Sequence, residues 1–72
     1  MSINDLSPEE KYIYETLVEK GGTIGYKELQ ELCAERFEGV RLILKKMKEK
    51  GIVLFDGMIP GFSSEIELIK KL

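Results

Sequence analysis

Apolar and polar positions along the 72 residues change period several times, and each change marks an element. Ile13, Tyr14 and Leu17 recur at helical spacing behind Ser7-Pro8-Glu9-Glu10. In that opening Ser7 can cap the free amides, Pro8 suits the first helical position, and Glu10 completes a capping box. Leu6, just before the cap, can pack back onto the first turn, and Gly21-Gly22 ends the helix. Thr23-Ile24 reads as a short extended piece. Tyr26, Leu29, Leu32 and Cys33 then predict a second helix over 26–34, and Val40, Ile43, Leu44 and Met47 a third over 39–50. Gly51 is the expected left-handed stop.

The apolar run Ile52-Val53-Leu54-Phe55 meets Asp56-Gly57, a strong hairpin signal because both turn residues accept positive φ. Pro60-Gly61 interrupts a long return strand, since proline cannot donate to the ladder. The wing is therefore short, or its return strand irregular. Two readings remain for 63–72. With period two, Ile66 and Leu68 face in while Glu65 and Glu67 face out. As a helix, Ser63 or Ser64 caps it, the acids lead, Lys70 and Lys71 close it, and Ile66, Ile69 and Leu72 share a face. That charge order complements the helix dipole, and the helix is the favoured reading.

The expected fold is mainly α with a small β-hairpin, one domain over 1–72 with a tail at 1–6. Apolar content of 43% beside 33% charged residues is that of a globular domain rather than a disordered chain. The longest apolar run is the four residues 52–55, far short of the ~20 a membrane helix needs. The first five residues lack the basic and apolar regions of a signal peptide, so a cytoplasmic protein is expected.

Histidine is absent and there is one cysteine, so neither a zinc set nor an internal disulfide is expected. Cys33 lies on an apolar stripe and reads as a small buried thiol. With no histidine and no phosphate-binding glycine loop, neither an enzyme nor a cofactor is expected. A binding module fits better.

Charge is unevenly spread. Residues 39–50 hold five bases (Arg41, Lys45, Lys46, Lys48, Lys50) against Glu49, a local +4 in a chain whose net charge is −2. The remainder therefore carries −6. With Val40, Leu44 and Met47 turned inward, the outward face carries Glu38, Leu42, Lys45, Lys46 and Glu49, flanked by Arg41 and Lys48. Arg41 suits a guanine edge, Lys45 and Lys46 suit phosphates, and Leu42 suits a thymine methyl or the anchor of a protein interface. A solvated face, with Lys45 paired to Glu49, explains the same residues.

Helix, tight connection, helix, glycine stop and hairpin, over roughly 7–62, resemble a winged helix-turn-helix domain. The likeness rests on Ile13, Leu17, Leu29, Leu32, Val40, Leu44 and Met47, and on Gly51 before Ile52-Val53. It implies a transcription-regulator-like protein, often a homodimer, that docks the third helix on duplex DNA. The DNA-contacting set is then Arg41, Leu42, Lys45, Lys46 and Lys48. Other members of the superfamily bind proteins instead. Glu35 and Glu38 near the helix start, and a wing with no base from 56 to 64, suit that second role. Its expected contacts are Leu42 with Met58, Ile59 and Phe62 of the wing. Tyr12 and Val18 of the first helix, with Ile69 and Leu72, are candidates for a dimer surface or for the core.

Overall fold

The computed structural model describes residues 5–57, 60–61 and 63–70. Its elements run α1 (Pro8–Glu19), β1 (Thr23–Gly25), α2 (Tyr26–Cys33), α3 (Val40–Glu49), β2 (Val53–Leu54) and β3 (Glu65–Leu68). The three strands form one antiparallel sheet in the order β1-β3-β2.

Local chemistry sets the helix ends. The Ser7 hydroxyl accepts from the Glu10 amide at 3.2 Å, and the Ser7 amide donates to Glu10 Oε1 at 2.9 Å, closing the capping box. Both α1 and α3 stop in a paired amide–carbonyl motif. Gly22 donates to the Leu17 carbonyl and Gly21 to that of Val18; Ile52 donates to Met47 and Gly51 to Lys48. Gly51 has φ of +76°, a conformation costly for any residue with a Cβ. At this stop Ile52 and Met47 are both fully buried, so the end of α3 is sealed by the core itself.

Ile13 and Leu17 of α1, Tyr26, Leu29 and Cys33 of α2, and Val40, Leu44 and Met47 of α3 meet Ile24, Val53 and Ile66 of the sheet in one core. Leu6 is buried with them. Leu32, expected inside, is 41% exposed. At about 100° per residue it is turned away from Cys33, and the short α2 buries only the side shared by Tyr26, Leu29 and Cys33.

The chain from 63 corrects the favoured helix. Glu65–Leu68 is a strand, and it occupies the centre of the sheet. Ile66 is fully buried opposite Ile24, while Glu65 and Glu67 stay exposed. An isolated helix of this length is marginal in water. As a strand the segment satisfies β1 on one side and β2 on the other, which removes two open edges. The sheet thus has three strands rather than the two of a hairpin.

The turn is corrected as well. Val53 pairs with Leu68 and Leu54 with Glu67, so ten residues of sequence separate β2 from β3, not the two of a tight turn at Asp56-Gly57. Gly57 still takes positive φ (+78°), but as one bend within the longer loop. Pro60 is buried, and the Ser64 hydroxyl accepts from the Gly61 amide at 3.0 Å. Met58, Ile59, Phe62 and Leu72, named above as contact candidates, lie outside the described residues.

Candidate nucleic-acid interface

The third helix buries Val40, Leu44 and Met47 and turns Arg41, Leu42, Lys46 and Glu49 to solvent, with Lys45 half-buried. Leu42 is 61% exposed at the middle of this face. Lys45 makes no ion pair with Glu49 among the described residues. Glu35 and Glu38 are exposed ahead of the helix. The expected face therefore forms, but two of the five bases of 39–50, Lys48 and Lys50, are used elsewhere.

Lys48 serves the loop after β2. Its Nζ donates to the Phe55 carbonyl at 3.0 Å and to the Gly57 carbonyl at 2.6 Å. It also lies 4.8 Å from the centre of the Phe55 ring, within cation–π range. Lys50 reaches back across the molecule, with Nζ 2.9 Å from each oxygen of Glu10. Burial raises the Glu10 pKa, but the Ser7 amide, the Lys50 hydrogen bond and the Lys50 charge outweigh it and leave the value lowered. Lys46 and half-buried Lys45 stay on the outward side, beside exposed Arg41.

Arg41 is placed with more definition than a surface arginine requires. Its Nε donates to the Tyr26 hydroxyl at 3.1 Å, and its guanidinium carbon is 5.6 Å from the ring centre. Tyr26, the first residue of α2, is 1% exposed. The sequence pattern marks Tyr26 as a core position and is silent about its hydroxyl. Only the packing of α2 against α3 brings residues fifteen positions apart together. Between them opens a cleft of about 390 Å³, whose walls include Gln30, Phe37 and Val40. The Gln30 Oε1 atom is buried there without a hydrogen-bond partner among the described residues.

The remaining candidates divide. Tyr12 is half-buried, edge-on to Phe37 with centroids 6.0 Å apart, and Arg36 stacks on its ring at 4.6 Å. It therefore belongs to an internal aromatic cluster at the rim of the core. Val18 is 48% exposed beside Glu15 and Glu19. Ile69 is exposed after β3. The outer sheet face gathers Leu54, Asp56, Glu65 and Glu67, an acidic counterpart to α3.

Cys33 is fully buried, and desolvation pushes its pKa up to about 11, so its thiol stays protonated at neutral pH. Among the described residues no three acidic, cysteine or histidine side chains group as a metal site would need. None of their helices is long and apolar enough to cross a membrane. The chain matches no family model, no curated protein and no solved structure.

Proposed function

We propose that this chain is a winged helix-turn-helix domain of the transcription-regulator type that docks α3 on duplex DNA. Support for the fold reading comes from the element order helix, strand, helix, helix, strand, strand, with the last strand between the other two. The observation that carries the DNA reading is the trio Arg41, Lys45 and Lys46 on the outward side of α3. Arg41 sits in the first turn, where a helix entering the major groove meets base edges. Lys45 and Lys46, one turn on, suit the flanking phosphates. The acidic sheet face would be held away from the duplex, which fixes one orientation of approach.

Titration of a fluorescent mixed-sequence duplex at 50 and 200 mM salt tests the reading. Two phosphate contacts, from Lys45 and Lys46, imply a salt slope near −1.8 and roughly a 12-fold loss of affinity over that range. Lys45→Glu/Lys46→Glu abolishes binding on this account. A flat salt response, or binding that survives the double charge reversal, contradicts it.

One observation favours a second reading. Leu42 is the most exposed large apolar side chain described, and it stands at the centre of the same face. A protein partner would take it as an anchor with Lys46 and Glu49 at the rim. Leu42→Asp then abolishes partner capture while the lysine reversals matter little. A homodimer through the exposed Val18 side of α1 is compatible with either role and would supply a second DNA half-site.

A further inference from the structure

The contact between Tyr26 and Arg41 deepens the DNA reading and rests on it. We infer that Tyr26 is a positioning residue: its buried hydroxyl holds the Arg41 guanidinium in the orientation that reads a guanine edge, so sequence preference depends on a residue that never touches DNA.

An exposed arginine on a helix samples many rotamers, and fixing it on a base costs side-chain entropy. Here the first residue of α2 supplies a fixed point. Tyr26 is 1% exposed and packed in the core, so its ring cannot follow a moving partner. Its Oη lies 3.1 Å from Arg41 Nε, and the guanidinium carbon 5.6 Å from the ring centre adds a weak cation–π attraction. A guanidinium carries five N–H donors in one plane. The bond at Nε therefore sets the direction of that plane before DNA arrives, and a guanidinium fork matches the O6 and N7 of a guanine. Such preorganisation lowers the cost of forming the complex without adding a contact.

A purely structural clip between α2 and α3 would use the same atoms, and the experiment separates the two. Duplexes are first selected from a random pool by the wild-type protein. Dissociation constants for the selected and a scrambled duplex are then measured with Tyr26→Phe, Arg41→Ala and the double variant, alongside Tm. Tyr26→Phe removes one oxygen and keeps the ring in the core. The expected result is a 3- to 10-fold fall in the ratio of selected to scrambled affinity, concentrated at one G·C pair. Binding to the scrambled duplex and its salt slope stay as in wild type. Arg41→Ala lowers the ratio by at least 10-fold, and adding Tyr26→Phe to it lowers the ratio no further.

A Tyr26→Phe protein with reduced Tm but an unchanged ratio overturns the inference, as do losses that simply add. Selection of no preferred sequence by a wild-type protein that binds duplex also overturns it. Absence of binding to any duplex instead overturns the DNA reading itself.

Discussion

Lys50, at the end of α3, holds both oxygens of Glu10 in the first turn of α1, each at 2.9 Å, across 40 residues of sequence. Glu10 thus has two duties. It closes the capping box with Ser7 and receives the lysine that seats the third helix against the first. The Glu10 side chain is only 5% exposed while that of Lys50 is 32% exposed, so the pair is anchored at the acid and solvated at the base.

Loss of either partner leaves the other poorly satisfied. Lys50→Met is expected to cost about 1–3 kcal/mol by removing a hydrogen bond to a charged, buried acceptor. A chain of this size then melts several degrees lower. Because the folded state lowers the Glu10 pKa, the stabilisation is present above the ordinary value of 4.5 and is lost as pH falls through the lowered value. Thermal melts of wild type and Glu10→Gln at pH 7 should therefore differ clearly. The two should converge as the pH falls from 4.5 through the lowered value. A gap that is constant in pH contradicts this assignment.

The two roles of lysine on α3 make a second prediction. Lys46→Met should lower the salt slope of DNA binding by about one unit, since one phosphate contact disappears. Lys48→Met should leave the slope unchanged, because that ammonium is committed to the carbonyls of Phe55 and Gly57. Its effect should appear instead as faster amide exchange in residues 55–57. Equal slope changes for both variants would return Lys48 to the interface.

The capping box, the Gly51 stop and the inward stripes of α1 and α3 were legible because each is written within a few neighbouring residues. What remained illegible depends on partners distant in sequence. Ile66, Ile69 and Leu72 with flanking acids and lysines satisfy a helix as well as a strand. Only Ile24 on one side and Leu54 with Val53 on the other decide between them. Asp56-Gly57 carries a local hairpin signal, yet pairing from Val53 to Leu68 sets a loop too wide for it. Nor does composition distinguish Lys48 and Lys50 from Lys45 and Lys46. The carbonyls of residues 55 and 57 and the carboxylate of residue 10 do.

The strand assignment has a direct consequence. Ile66→Ala opens a cavity at the centre of the sheet and should cost about 2–5 kcal/mol, a large share of the stability of so small a domain. Ile69→Ala, at an exposed position, should change stability by less than about 0.5 kcal/mol. A helix over 63–72 would make the two costs similar. Chemical denaturation of both variants distinguishes the cases.

Cys33 reports on core opening. Fully buried and with its pKa raised to about 11, it should resist a thiol reagent in native buffer. Reaction should occur only at the rate at which the α2 packing opens, and rise steeply near the unfolding midpoint. Rapid native modification would contradict the packing of α2 against the sheet.

The measurement closest to the central claim is titration of a fluorescent mixed-sequence duplex with the intact protein at two salt concentrations. Micromolar-range binding is expected at low salt, about 12-fold weaker at 200 than at 50 mM, and lost in Lys45→Glu/Lys46→Glu. Absence of binding at low salt, where attraction to phosphate is strongest, would contradict it.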